Sequence, residues 1–271
     1  MKLSYSTLAC PEWNFDKIIK FAKINFYDGV ELRICESQIN ANLDPRKVKR
    51  IKNKFFINKL EIACLSAYTN FNNPDYNTRK ENILKLKEII DLASALGAKY
   101  VRTFGSNTNN DIKKSKIIFW IQEAFKELDR YADKKNVKIL LETHDDLSTG
   151  YDVHKIFKNK EFDNCGVLWD IAHSIRAGED ILTTLEYLKD YIYHIHIKDW
   201  IKLNEEKDYY VLLGAGVLPV EKLLLELKKI KYNGYLSLEW EKIWIPEIEE
   251  SDIAIMQYSK KMNYYFQKLN L

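Results

Sequence analysis

A chain of 271 residues, 46% of them hydrophobic, suits one large domain, and 42 lysines and arginines against 39 aspartates and glutamates leave a formal net charge of only +3. So small an excess, spread along the whole chain, gives no basic stripe to follow a nucleic-acid backbone, and no apolar run reaches the roughly 18 residues of a membrane span. Met1-Lys2-Leu3-Ser4 leads straight into a strand rather than an apolar leader, so a cytoplasmic protein is expected; Cys10, Cys35, Cys64 and Cys165 stand far apart with no Cys-x-x-Cys spacing and are expected to be reduced, mostly buried thiols.

Strand-like and helix-like segments then alternate to the end of the chain. Residues 3–7 read as a first strand, and Asn14 caps a helix whose apolar face carries Ile18, Ile19, Phe21 and Ala22. Asp28-Gly29 turns into a second strand over 30–33, and Asp44-Pro45 opens a helix as N-cap and first helical residue, running to about Asn58. Strand three covers 60–67; a helix over about 78–96 stops at Gly97; strand four covers 100–103. A long amphipathic helix over about 111–135 ends at Asn136 and hands over to strand five at 138–142.

The second half repeats the scheme: a helix over about 151–157, strand six at 166–170, a helix over about 180–188 and strand seven at 192–197. A loop over 200–218 precedes Pro219, which starts a helix by the same logic as Pro45; Asn233-Gly234 turns into strand eight at 235–239, and a last helix covers about 251–269. Alternating βα units demand a parallel sheet, and eight of them in this length favour a closed (β/α)8 TIM barrel, one domain over 1–271, above an open doubly wound sheet. No Gly-x-Gly-x-x-Gly follows strand one to argue for the open form.

In such a barrel, side chains at the C-terminal strand ends converge on a ligand. Four strands finish in metal-capable residues: Leu140-Leu-Glu142-Thr-His144, Gly166-Val-Leu-Trp-Asp170-Ile-Ala-His173, His194-Ile-His196-Ile-Lys198-Asp199 and Leu236-Ser-Leu-Glu239. Because successive residues alternate faces, Glu142 shares the inner face with Leu140, Asp170 with Leu168, His196 with His194 and Lys198, and Glu239 with Ser237, while Trp169 turns to the helices. Unpaired charges brought together out of water cost several kcal/mol or more each. One divalent cation resolves the conflict, and three carboxylates with one imidazole suit Mn²⁺, Mg²⁺ or Zn²⁺ with positions left open for substrate oxygens; the alternative is that these residues make separate salt bridges to the many lysines.

Together with Val101-Arg-Thr-Phe-Gly105, Leu213-Gly-Ala-Gly216 and Gly234-Tyr-Leu-Ser-Leu-Glu239-Trp, these runs resemble the xylose-isomerase-like superfamily of TIM barrels over nearly the whole chain. That group includes sugar phosphate isomerases and epimerases, ketose 3-epimerases, inosose and 3-dehydroshikimate dehydratases, and apurinic endonucleases. The resemblance implies that Glu142, Asp170, His196 and Glu239 ligate the metal, that His173 contacts substrate, and that Glu142 and Glu239 act as the acid/base pair on opposite faces of the substrate. The extra histidine ligands of the endonuclease branch are absent: strand two ends in Arg33, strand three runs Cys64-Leu-Ser66, and no histidine follows Trp200 in the next loop.

Other residues carry one or two readings each. His144 is a substrate contact, as resemblance to the dehydratases suggests, or a loop histidine bonded to backbone; His154 is expected in solvent on a helix; His194 is expected as a hydrogen-bonded core residue. Lys198 places positive charge beside a developing enolate or pairs with Asp199, and Arg102 holds a phosphate or carboxylate or closes a polar layer of the barrel. Gly214-Ala-Gly216 offers backbone N–H groups to an anion or forms an ordinary turn. The expected function is a metal-dependent isomerase or epimerase of a sugar or sugar phosphate, abstracting a proton α to a carbonyl through a metal-stabilised enediolate. The alternatives are a dehydratase of the 3-dehydroshikimate or inosose type and a non-catalytic metabolite-binding barrel. The expected partner is a small sugar or polyol-derived substrate, with neither nucleic acid nor membrane, and the chain is expected as a monomer or homodimer.

Overall fold

A computed structural model describes residues 1–36, 38–105, 112–158, 162–202 and 208–271. The described strands are β1 (Lys2–Ser6), β2 (Gly29–Arg33), β3 (Glu61–Ser66), β4 (Tyr100–Phe104), β5 (Lys138–Glu142), β6 (Cys165–Asp170), β7 (Ile192–Ile197), β8 (Asp199–Lys202), β9 (Asp208–Val211) and β10 (Tyr235–Leu238). Eight of these close a parallel barrel in the order β1-β10-β7-β6-β5-β4-β3-β2, and β8 pairs with β9 in a separate antiparallel hairpin.

The described helices are α1 (Phe15–Ile24), α2 (Pro45–Ile57), α3 (Tyr76–Leu96), α4 (Lys114–Asp133), α5 (Gly150–Phe157), α6 (Ile171–Arg176), α7 (Ile181–Leu188), α8 (Val220–Lys229) and α9 (Ser251–Leu269). Their starts follow the side chains that can replace a missing backbone acceptor. Asn14 accepts from the N–H of Lys17, Asp44 from that of Arg46 with Pro45 at the first helical position, and Asp75 from that of Thr78. Gly97 closes α3 in the left-handed region at φ 85°, where a side chain would be strained. None of the described helices is long and apolar enough to cross a membrane.

Outward-facing strand residues such as Val101, Ile139, Leu141, Val167, Trp169, Ile195, Ile197, Leu236 and Leu238 pack into one core with the helices. The alternate residues fill the barrel interior, and there the chain is polar: Ser4, Glu31, Ser66, Arg102, His194, His196 and Ser237 are all buried. Register sets neighbours within this interior, with Asp170 opposite His196, His196 opposite Ser237, and Ser237 opposite Ser4.

Four details depart from the pattern in the sequence. A short helix, α6, follows Asp170 directly, because the Asp170 carboxylate that ends β6 also caps the next turn through the N–H groups of Ala172 and His173. The connection after Asp199 carries the β8–β9 hairpin rather than an unbroken loop. Pro219 is the N-cap of α8, one position before the helix, so its fixed φ sets the entry without a side-chain cap. α3 begins at Tyr76, behind the Asp75 cap, rather than at Thr78; Asp111, expected to open the next helix, lies outside the described residues.

Candidate metal centre and active site

Glu142 ends β5, Asp170 ends β6, His196 lies on β7 and Glu239 follows β10, and each offers one ligand atom within 4.8 Å of the others. The four are buried, Glu239 the least at 7% exposed. His196 Nδ1 faces the carboxylates, 3.3 Å from Glu142 Oε1, 3.3 Å from Glu239 Oε1 and 4.0 Å from Asp170 Oδ2. Sequence parity therefore brings together the four residues it singled out.

Two cations lie beside the three carboxylates. Lys198 Nζ is 2.7 Å from Asp170 Oδ2, 2.6 Å from Glu239 Oε2 and 3.0 Å from Glu241 Oε1, while Arg102 Nε is 3.1 Å from Glu142 Oε2. Burial, followed by the repulsion of Glu239 and Glu142, outweighs the pull of Lys198 and pushes the Asp170 carboxyl up to about 6. His196 Nδ1 is buried and makes no hydrogen bond, with the carboxylates of Glu142, Glu239 and Asp170 at 3.3, 3.3 and 4.0 Å. One imidazole nitrogen without a hydrogen bond and three carboxylates, whose oxygens also meet Lys198 and Arg102, form a donor set that fits one divalent cation.

The surrounding wall is formed by residues of several roles. His173 Nε2 lies 3.5 Å from Asp170 Oδ2 and 3.4 Å from Lys198 Nζ, and burial together with the Lys198 charge holds its imidazole well below its ordinary pKa, hence neutral. His144 packs tilted against His173 and Phe104, at 4.2 and 4.7 Å between ring centroids; its Nδ1 pairs with the Asp145 carboxylate at 2.8 Å. Arg102 donates from Nη1 to the carbonyl of Ala67 at 2.9 Å and lies over Phe104 at 4.1 Å, so its guanidinium joins the polar layer beside Glu142.

Lys198 does not pair with Asp199, its alternative partner in the sequence, because adjacent strand residues point to opposite faces. Asp199 instead accepts from the N–H groups of Trp200, Gly214, Gly216 and Leu218, so the Gly-Ala-Gly turn encloses the chain's own carboxylate. A Cβ at Gly216 would run into that carboxylate and the carbonyl of Trp200. His154 is half-buried rather than in solvent, with Nδ1 at 3.0 Å from the Tyr187 carbonyl. His194 is a hydrogen-bonded core residue, 2.9 Å from Glu31. Cys10, Cys64 and Cys165 are buried free thiols and Cys35 is partly exposed.

Three neighbours escaped the sequence reading. Glu31 lies in the middle of β2, and its signal was a charge between the apolar residues Val30 and Leu32, which fixes it on the inner face. Glu241 repeats the inward parity of Glu239. Tyr210, which donates to Glu241 Oε1 at 2.9 Å and receives Arg176 Nη1 at 3.1 Å, comes from a hairpin that the sequence did not signal.

A closed (β/α)8 barrel with a cation-ready cluster at its C-terminal strand ends defines the class of protein. The model of the xylose isomerase-like TIM barrel family matches residues 20–258, and the chain belongs to that family. It is 27% identical over 247 residues to an inosose isomerase of Halalkalibacterium halodurans, covering 88% of this chain and 87% of that one. A 3-dehydroshikimate dehydratase of Bacillus anthracis is 22% identical over 245 residues, 84% of this chain and 85% of the other. Among solved structures, the IolI protein with a bound zinc atom superposes with a TM-score of 0.82 at 22% identity over 99% of both chains.

Proposed function

We propose that this protein is a metal-dependent isomerase or epimerase of a small sugar, sugar phosphate or polyol-derived ketone. Glu142, Asp170, His196 and Glu239 hold one divalent ion, and Glu142 and Glu239 exchange protons with the carbon next to the carbonyl. The observation that carries this reading is convergence from two sides. Glu142 and Glu239 each approach His196 Nδ1 to 3.3 Å, from β5 and from the end of β10, strands that β6 and β7 separate in the barrel. Each has its own cation, Arg102 for Glu142 and Lys198 for Glu239.

A carbon acid next to a carbonyl is too weak for a carboxylate to deprotonate unaided, and the bound ion would supply the polarisation of the carbonyl oxygen. One glutamate then removes a proton from its face of the substrate, and the other returns one from the opposite face. The Lys198 ammonium lies 2.6 Å from Glu239 and favours the ionised form of that carboxylate, the form a base needs. His173, neutral and beside Lys198, can bind a substrate hydroxyl, and His144 extends the same wall. The names of the relatives, inosose isomerase and 3-dehydroshikimate dehydratase, support small hydroxylated ketones as the substrate class.

A dehydratase is the second reading, favoured by the ammonium of Lys198 beside Glu239, a proton donor within the site, and by the 3-dehydroshikimate dehydratase among the relatives. Turnover in heavy water separates the two. An isomerase or epimerase gives product labelled at the carbon α to the carbonyl, and Glu142→Gln and Glu239→Gln each depress turnover by at least about 100-fold beyond any loss of metal. Loss of water with a conjugated-enone absorbance identifies the dehydratase. Bound metal without proton exchange on any hydroxyketone tested refutes both and leaves a binding barrel.

A further inference from the structure

Glu31 is buried at 0% exposure in the middle of the barrel, and four side-chain donors converge on its carboxylate. Ser66 donates to Oε1 in a short hydrogen bond, Ser237 lies 3.1 Å from Oε2, His194 Nε2 lies 2.9 Å from Oε2, and His196 Nε2 lies 3.1 and 3.0 Å from the two oxygens. A carboxylate offers about four lone-pair sites, so these donors occupy it fully. Although Glu31, His194 and His196 could in principle chelate an ion of their own, no acceptor capacity remains there for one.

An ionised carboxylate can only accept, so the nitrogen of His196 that faces Glu31 must carry the proton. In a neutral imidazole the other nitrogen, Nδ1, then presents a bare lone pair, and Nδ1 is the atom directed at Glu142, Asp170 and Glu239. His194 and the two serines hold the carboxylate in place, across strands β2, β3, β7 and β10.

We propose that Glu31 is the positioning residue of the metal centre: it fixes the tautomer and ring orientation of His196, making Nδ1 the ligand, without touching the ion itself. This rests on the proposed metal dependence. Glutamine at 31 has the same size but only one accepting oxygen, so some of the four donors lose their partner and the preference for protonated Nε2 weakens. Titration of metal-free protein with zinc against a chromophoric chelator, without substrate, is the test. Glu31→Gln should weaken zinc affinity by about 10- to 100-fold at unchanged far-ultraviolet circular dichroism; equal affinity overturns the proposal. Heteronuclear NMR of the imidazole nitrogens in the zinc-loaded wild type decides the matter even if the variant fails to fold. Zinc on Nδ1 and a proton on Nε2 of His196 are expected, and zinc on Nε2 overturns the proposal. A wild type that takes up no zinc or other divalent ion refutes the proposed function, and this inference falls with it.

Discussion

Asp170 divides its two oxygens between two tasks. Oδ1 caps α6 through the N–H groups of Ala172 and His173, and Oδ2 faces the ligand cluster, 2.7 Å from Lys198 Nζ. Its carboxyl, raised from 3.8 to about 6 first by burial and then by Glu239 and Glu142, has a consequence for stability without metal. Between those values the folded state binds more protons than the unfolded state, so this group's contribution is present at low pH and lost as pH rises through about 6. Asp170→Asn removes that titration while keeping an oxygen for the cap. In the presence of a chelator, the melting temperature of the variant relative to wild type should therefore increase from about pH 4 to about pH 7; a constant difference would refute the assignment. Residues at strand ends were legible because parity and position select them together, as for Glu142, Asp170, His196 and Glu239. Glu31 was not, because it lies in mid-strand, where a lone acidic residue gives no hint that Ser66, His194, His196 and Ser237 will meet it from three other strands.

Among the elements, those bounded by strong punctuation were readable: Asp44-Pro45 and Gly97 mark α2 and α3 because each supplies a group or a conformation the helix end requires. Helix α6 was missed since no turn residue separates it from β6, and the hairpin because its second strand, β9, is half exposed and carries no long apolar pattern. The hairpin and the turn at 214–218 are tied to the barrel through Asp199, whose carboxylate takes four backbone N–H groups. Asp199→Ala leaves those of buried Trp200 and Leu218 without an acceptor, each worth about 1–3 kcal/mol. Urea unfolding should show a loss of about 2–6 kcal/mol, with Arg176, which pairs with Asp208 at 2.7 Å, and Tyr210 displaced from the site wall. A change of midpoint below the error of the fit would show that the turn holds itself.

For the molecule as a whole, eight βα alternations were enough to identify the barrel, because each strand–turn–helix transition changes the hydrophobic period. This barrel has a charged interior, and binding of the proposed ion there would link its occupancy to global stability. Free metal at about 100 times its Kd should raise stability by about 2.7 kcal/mol, roughly 5 °C in Tm for a chain of this size. Differential scanning fluorimetry with and without chelator measures this, and Asp170→Ala should abolish most of the increase. An identical increase in that variant would place the ion elsewhere.

The continuity of β7 with β8 has a genetic consequence. His194, His196 and Lys198 face the interior, while Ile195 and Ile197 face the helices and Asp199 anchors the hairpin. Deleting or inserting one codon in this run would exchange the two faces of every later residue of the strand, placing isoleucines among the carboxylates and histidines in the oily layer outside them. Descendants of this gene can therefore explore new substrates there only by replacing letters, never by changing the count. The turn beyond the hairpin is counted in the same way, because the N–H groups of residues 214, 216 and 218 must all meet the Asp199 carboxylate, so this side of the barrel mouth accepts new letters but not a new length.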